Sequence, residues 1–224
     1  RSTQAKTLFP YTTLFRSIGN KMMIGLSEAL KFNTILQHID LGWNKIRYKG
    51  MIALSEALKV NVSITWLNLS NNDLGDEELI ALSEGLKFNT KVMWIGLFYN
   101  NIGPKGMIAF SEALKINSSL QEINFNVNKI GDTGMIALSE ALKINSSLQE
   151  ISLQLNGIKN GGVMVLLEAL KVNTSLTSIN LRDNLIKEEA IMALKNNANL
   201  VINDTKKTLK YIYESFTSNL NINI

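Results

Sequence analysis

The chain has 224 residues, of which 46% are hydrophobic and 19% charged, a composition typical of one globular domain or two small ones. It has no cysteine, which excludes disulfides, cysteine metal sites and thiol catalysis and favours a reducing, cytoplasmic location. Neither a long apolar run nor a secretory signal is present, so we predict no membrane partner. The net charge of +4 comes largely from residues 1–17, which hold three basic residues and no acid.

The first seventeen residues look foreign to the rest of the chain. Residues 7–17 read TLFPYTTLFRS, which resembles the codon-for-codon translation of a common sequencing adapter. Segments of this origin do not take part in a fold. We therefore predict that residues 1–17 are non-native, contribute no repeat strand and pack poorly. The alternative is an irregular N-terminal cap.

A unit of 28 residues repeats from residue 18 onward. An asparagine recurs at the same place in each unit, and an aliphatic residue follows it two positions later. The spacing predicts a truncated first repeat and six further repeats over residues 18–202. The recurring asparagines are Asn44, Asn72, Asn100, Asn128, Asn156 and Asn184.

Each unit has two halves with different hydrophobic periods. The first half, L-x-x-I-x-L-x-x-N-x-I, alternates like a short strand. The second half, G-M-I-A-L-S-E-A-L-K, predicts a helix whose buried face holds Ile136, Leu138, Ala141 and Leu142. Because one unit cannot bury its own apolar side, we predict a stacked α/β solenoid with a parallel inner sheet and outer helices.

The asparagine column has a structural explanation. Backbone groups are left without partners where the chain leaves each strand, and an amide side chain both donates and accepts hydrogen bonds. Stacked copies are therefore expected to bridge neighbouring repeats. An unpaired buried group costs about 1–3 kcal/mol, so we interpret these asparagines as structural.

These motifs resemble the ribonuclease-inhibitor class of leucine-rich repeats, which includes ribonuclease inhibitor, the sensor ends of NOD-like receptors and the Ran GTPase-activating protein. The resemblance covers residues 18 to about 202. It implies a right-handed horseshoe and protein partners, and it supplies no catalytic set. The acidic tail of Ran GTPase-activating proteins is missing.

The C-terminal end departs from the repeat. The seventh unit loses several residues after Leu194, and residues 203–224 follow it. In this segment Leu209, Ile212 and Phe216 share one helical face. Terminal repeats deviate to shield an open core, so we predict a capping helix and tail. A membrane-binding amphipathic helix is the weaker alternative.

No set of residues predicts catalysis or a cofactor. His38 is the one histidine, and it has no partner set for metal binding or acid–base chemistry. Asn-x-Ser/Thr sequences recur at Asn61, Asn117, Asn145 and Asn173, and their shared place in the repeat explains them without glycosylation. We therefore predict no enzyme, no metal and no cofactor.

Two rows of opposite charge follow the predicted helices. Each lysine lies three residues after a glutamate, a spacing typical of a solvated helix face. A nucleic-acid-binding stripe requires unbalanced basic charge, so we predict no nucleic-acid partner. The rows are Glu56, Glu84, Glu112, Glu140 and Glu168, followed by Lys59, Lys87, Lys115, Lys143 and Lys171.

The variable positions of the strand are the candidate binding surface. Counting from the first leucine of the motif, with the recurring asparagine at position nine, positions three, five, seven and eight are expected to face the concave side. All three tryptophans of the chain are in this set, and exposed aromatic groups often mark interaction sites. The alternative is packing that stiffens the sheet. The predicted binding residues are His38, Trp43, Trp66, Trp94, Phe98, Tyr99, Glu122 and Glu150.

The sequence leaves three functions open. The first is a protein-binding module, one part of a larger intracellular protein such as a NOD-like receptor. The second is a stand-alone regulator of an enzyme, and the third is carbohydrate binding through Trp66 and Trp94. The sequence indicates no oligomeric state.

Overall fold

The computed structural model describes residues 18–196 in full and the backbone of residues 12–14 and 201–203. Helices and short strands alternate along the described chain. The strands are β1 Thr12–Leu14, β2 His38–Asp40, β3 Trp66–Asn68, β4 Trp94–Gly96, β5 Glu122–Asn124, β6 Glu150–Ser152, β7 Ser178–Asn180 and β8 Val201–Asn203. The helices are α1 Asn20–Leu30, α2 Tyr48–Val60, α3 Asp76–Leu86, α4 Pro104–Leu114, α5 Gly131–Leu142, α6 Asn160–Leu170 and α7 Glu188–Lys195.

The strands form one parallel sheet whose order follows the chain from β1 to β8. Each helix connects two neighbouring strands, so the chain advances by one strand and one helix in every repeat. Strands lie about 4.8 Å apart, whereas packed helices need about 8–10 Å. The stack therefore curves with the sheet inside and the helices outside, and the predicted α/β solenoid is confirmed.

The core lies between the sheet and the helices. The middle residue of each strand from β2 to β7, such as Ile39 or Ile123, is buried, and so is the residue two positions later, which is a leucine except at Phe125. Near the middle of the stack, Phe110 of α4 contacts Phe125 edge to face, with ring centroids 5.1 Å apart. Within the described residues, no helix is both long and apolar enough to cross a membrane.

One prediction about the helix face is wrong. Ile136 is 40% exposed, whereas Met135 is buried together with Leu138, Ala141 and Leu142. Met135, Leu138 and Leu142 are spaced three and four residues apart, so they form one stripe, and Ile136 lies about 100° further round the helix. The outer surface therefore carries a column of exposed apolar residues: Ile52, Ile80, Ile108, Ile136 and Met164.

The prediction that residues 1–17 contribute no repeat strand is also wrong. Thr12–Leu14 forms β1, which pairs in parallel with β2. The spacing between paired residues differs from the 28-residue repeat. Thr12 pairs with His38, 26 positions later, whereas His38 pairs with Trp66, 28 positions later. A short edge strand needs only backbone hydrogen bonds, so its sequence is weakly constrained.

The C-terminal end is shorter than a full repeat. Ser178 of β7 pairs with Val201 of β8, 23 residues later. This agrees with the predicted loss of residues after Leu194, and the boundary predicted at residue 202 falls inside β8. The predicted capping-helix residues Leu209, Ile212 and Phe216 lie outside the described residues.

The recurring asparagines form hydrogen bonds between repeats. Asn128 Nδ2 donates to the carbonyl oxygens of Leu97 and Phe125 at 3.0 and 2.9 Å, and its Oδ1 accepts from the backbone N–H of Ile102 at 3.0 Å. Leu97 and Ile102 belong to the preceding repeat. Bonds to the preceding repeat are also made by Asn44, Asn72, Asn100, Asn156 and Asn184.

A second asparagine ladder lies at the other edge, where each helix ends. Asn117 Nδ2 donates to the carbonyl oxygens of Leu86 and Asn89 at 2.8 and 2.9 Å. Its Oδ1 accepts from the backbone N–H groups of Ser119 and Leu120. The amides that the sequence presents as glycosylation motifs are thus engaged with the backbone. The ladder comprises Asn61, Asn89, Asn117, Asn145 and Asn173.

Candidate functional site on the concave face

Position three of the repeat is the first residue of each strand, and its side chains form one column across the sheet. His38, Trp66, Trp94, Glu122 and Glu150 are paired in register, each with the next. The first three are half-buried, whereas the two glutamates are exposed. The column therefore passes from aromatic to acidic side chains across the described sheet.

The two tryptophans of this column are stacked. The ring centroids of Trp66 and Trp94 are 4.6 Å apart, and the ring planes differ by 8°. His38 contacts Trp66 edge to face, with centroids 6.1 Å apart and planes at 74°. The separation between the Trp66 and Trp94 centroids is close to the distance between neighbouring strands. The two rings are therefore spaced as the two strands that carry them.

A glycine makes room for this stack. Gly96 lies two residues after Trp94 on the same face of β4, and the indole ring lies across it. A Cβ atom added at Gly96 would be 2.5 Å from Cη2 of Trp94 and 2.7 Å from Oδ1 of Asn68. No real Cβ approaches that closely, so the ring position depends on the absence of a side chain at residue 96.

The prediction that Phe98 belongs to the exposed binding surface is corrected. Phe98 is only 7% exposed, so it does not offer the aromatic surface expected of it. Its ring pairs with Tyr99 at 5.8 Å. Trp43 and Tyr99 are both 55% exposed, and among the described residues no ring contact joins them to the tryptophan stack.

Trp43 and Tyr99 lie at position eight, past the end of the strand. Both adopt positive φ, 58° and 53°, and the same backbone conformation recurs at this position in every repeat from Trp43 to Asp183. This left-handed bend turns the side chain from the strand onto the rim of the sheet. Trp43 and Tyr99 are therefore rim residues rather than part of the strand surface.

Position five is occupied by internal hydrogen bonds that the sequence did not predict. Asp40 Oδ1 accepts from the backbone N–H of Gly42 and from Nδ2 of Asn68, both at 2.9 Å. Asn68 in turn accepts from the N–H of Ser70. Asp and Asn side chains commonly bond the backbone two residues later. The Asn and Asp residues at this position were the only signal of these bonds in the sequence. Among the described strand residues, position three is the column whose side chains are not engaged in this way.

A groove of about 330 Å³ lies on the rim, between neighbouring repeats. Tyr99 and Val127 line it together with Asp73 and Lys129. Asp73 is already engaged, since it pairs with Arg47 at 2.9 Å and accepts a hydrogen bond from Asn101. Among the described residues, no group of three or more acidic, histidine or cysteine side chains is placed to hold a metal ion.

Comparisons with known proteins agree with this architecture. The family model described as Leucine Rich repeat matches residues 32–55, 60–83, 96–111, 117–139, 145–167 and 172–195. A search of curated protein sequences gives no significant match.

Three solved structures illustrate the fold. The actin-binding site 2 of leiomodin-1 is 22% identical, with a TM-score of 0.57, over 77% of this chain and 94% of its own. The tropomodulin C-terminal domain of Caenorhabditis elegans is 16% identical, with a TM-score of 0.55, over 68% and 91%. The complex of Rad7 and Elc1 in yeast contains a chain that is 16% identical, with a TM-score of 0.56, over 83% and 44%.

The six matched segments each contain repeat positions described above, and together they span more than half of the sequence. The parallel sheet, the outer helices and the matched repeats agree with one another. The chain belongs to the Leucine Rich repeat family.

Proposed function

We propose that this chain is a protein-interaction module and that its partner binds the concave face at Trp66 and Trp94. The observation that carries the proposal is the stack of two half-exposed tryptophans at the start of adjacent strands. Tryptophan is enriched among the residues that dominate interface energies. A stack held in place by the sheet loses little side-chain freedom on binding.

Related structures support a binding role through the fold they share. The leiomodin-1 structure is described as an actin-binding site, and the Rad7 structure is a complex with Elc1. Repeat solenoids offer extended curved surfaces rather than enclosed pockets, and such surfaces suit macromolecules. These points favour a protein as the partner of this chain.

A contrast between the two faces tests the proposal. The wild-type chain is used to capture a partner, whose affinity for Trp66→Ala, Trp94→Ala and Lys115→Ala is then measured. We expect each tryptophan variant to lose about 2 kcal/mol or more of binding free energy. Lys115 makes an exposed ion pair with Glu112, and such pairs contribute about 0–1 kcal/mol, so its variant should bind normally.

Melting curves separate binding from packing. Tryptophan variants that bind normally but unfold early would show that the stack only stiffens the sheet. Loss of binding in Lys115→Ala would place the working surface on the outer helices. Either result contradicts the proposal.

The larger protein is a separate proposal. We infer that the solenoid is part of an intracellular receptor of the NOD-like type, with a stand-alone enzyme regulator of the ribonuclease-inhibitor or Ran GTPase-activator type as the alternative. The 28-residue repeat supports both. The full-length gene distinguishes them, because a nucleotide-binding domain encoded upstream of residue 18 is expected only for the receptor.

Carbohydrate binding is less well supported. A sugar needs a broad aromatic platform, but Trp66 and Trp94 cover one face of each other and both rings are half-buried, so only part of one indole face is exposed. We therefore expect no signal on a glycan array. A Trp94-dependent glycan signal would instead support this alternative.

A further inference from the structure

The concave column changes from aromatic to acidic between two neighbouring strands. Trp94 of β4 pairs in register with Glu122 of β5, which pairs with Glu150 of β6. Because neighbouring strands lie about 4.8 Å apart, the two carboxylates follow the tryptophan stack in steps of one strand. An aromatic ring and two carboxylates are therefore presented side by side on one surface.

These glutamates differ from those of the helical row. Every glutamate of the helical row pairs with a lysine three residues later, at 2.6 or 2.7 Å. Glu122 and Glu150 are exposed, and within the described part of the chain neither has an ion pair. Lysines therefore neutralise the glutamates of the helical row, but the described residues leave the charges of Glu122 and Glu150 uncompensated.

The other concave positions of these three repeats add no positive charge. Positions five and seven of the same three repeats hold neutral residues: Gly96, Phe98, Asn124, Asn126, Ser152 and Gln154. A surface lined by one sign of charge attracts the opposite sign over a distance and favours a complementary partner. This part of the concave face is therefore suited to a cation.

One face of the Trp94 ring, beside these carboxylates, is not stacked on another aromatic ring. Trp66 covers Trp94 from the side of β3, and β5 lies on the other side of β4. Among the described residues, no aromatic ring covers the face of Trp94 that is turned away from Trp66. The ring is half-buried, so part of it is open to a ligand.

We propose that Trp94, Glu122 and Glu150 bind a cationic side chain of the protein partner and that arginine fits them best. This inference rests on the proposed function and adds the chemistry of the partner. A guanidinium is planar and stacks on an indole ring, while its N–H groups donate to carboxylates. A lysine ammonium offers a point charge without the flat face.

A peptide probe tests this directly. The probe is a fluorescein-labelled, glycine- and serine-rich peptide with two arginines, and binding to the full chain is followed by fluorescence anisotropy. Matched probes replace arginine with citrulline, which has the same shape without the charge, or with lysine. We expect the arginine probe to bind at least about tenfold more tightly than the citrulline probe, with lysine between them.

Two variants identify the binding groups. Glu122→Gln combined with Glu150→Gln removes both charges and keeps the side-chain shape, and we expect about tenfold weaker binding of the arginine probe. Trp94→Leu keeps the charges and removes the indole, and it should also weaken binding. Glu112→Gln is the matched control, because that glutamate pairs with Lys115 on the convex face. It should leave the affinity unchanged.

The inference is overturned if the arginine probe does not bind, if it binds no better than the citrulline probe, or if the double glutamine variant binds it as wild type does. The captured partner separates this inference from the proposed function. A partner that needs Trp66 and Trp94 but tolerates the double glutamine variant would leave the proposed function standing and reject the cationic contact.

Discussion

Asn128 Nδ2 lies 3.0 Å from the carbonyl oxygen of Leu97, which is 31 residues earlier in the chain. The same amide accepts from the N–H of Ile102 through Oδ1. One side chain thus satisfies a donor and an acceptor of the preceding repeat, while it also bonds its own repeat at Phe125. Each repeat completes the hydrogen bonds of its neighbour, which makes the stack cooperative.

We expect Asn128→Ala to reduce the free energy of unfolding by about 1–3 kcal/mol, because buried backbone groups of two repeats lose their partner. Asn184→Ala should cost less. Asn184 makes similar bonds but is half-buried and lies in the last described repeat. Urea denaturation measures both values. Equal losses, or no loss at Asn128, would contradict the inter-repeat role.

The second asparagine ladder predicts a similar loss of unfolding free energy when Asn145 is replaced. Its amide bonds the carbonyl oxygens of Leu114 and Asn117 and accepts from the N–H of Leu148. Asn145→Ala should therefore cost about 1–3 kcal/mol of unfolding free energy. Ser147→Ala is the control, because it destroys the same glycosylation motif and keeps the amide. A larger loss in Ser147→Ala than in Asn145→Ala would reject the ladder.

Gly96→Ala should displace the indole of Trp94, since the added Cβ would be 2.5 Å from its Cη2 atom. Overpacking of this kind costs about 1–3 kcal/mol. Stacked tryptophans give a coupled signal in circular dichroism, and we expect this signal to weaken. In a Trp94→Ala background, Gly96→Ala should cost less, which a double-mutant cycle measures. If the two substitutions have additive effects on the free energy of unfolding, and the circular dichroism spectrum of Gly96→Ala is unchanged, Gly96 does not position the ring.

Asp76 caps a helix of the next repeat rather than its own. Its Oδ1 accepts from the backbone N–H groups of Gly103 and Gly106 at 2.7 and 2.9 Å, at the start of α4. We expect Asp76→Ala to lower the free energy of unfolding by about 0.5–2 kcal/mol, as for other lost caps. Asp76→Asn keeps an oxygen that can accept these bonds, so it should lower the free energy of unfolding by less. An asparagine already has this role at Asn20, whose Oδ1 makes the corresponding bonds to the start of α2.

Chemical denaturation of Glu77→Ala supplies the control for this cap. Glu77 follows Asp76 in the first turn of α3, carries the same charge and is exposed, and it makes no hydrogen bond to the described residues of α4. A loss in Glu77→Ala as large as in Asp76→Ala would attribute the effect to helix charge instead of the cap.

The sequence alone determined the repeat, its strand and helix halves, and the column that contains the tryptophans. Units of equal length stack in register, so residues 28 positions apart, such as Trp66 and Trp94, become neighbours. That argument needs only the period of the repeat and the distance between strands. The adjacency of the two indoles therefore follows from the length of the repeat.

Only the tertiary structure decided which side chains of the repeat are exposed and how they are oriented. Phe98 is buried and Ile136 exposed, contrary to expectation, and Tyr99 turns onto the rim through a positive φ. The asparagine at the helix end has the sequence of a glycosylation motif, but its amide lies against the preceding repeat at Asn117 and its equivalents. A period specifies spacing along the chain, whereas burial depends on how closely the neighbouring repeats approach, and that distance is set by packing.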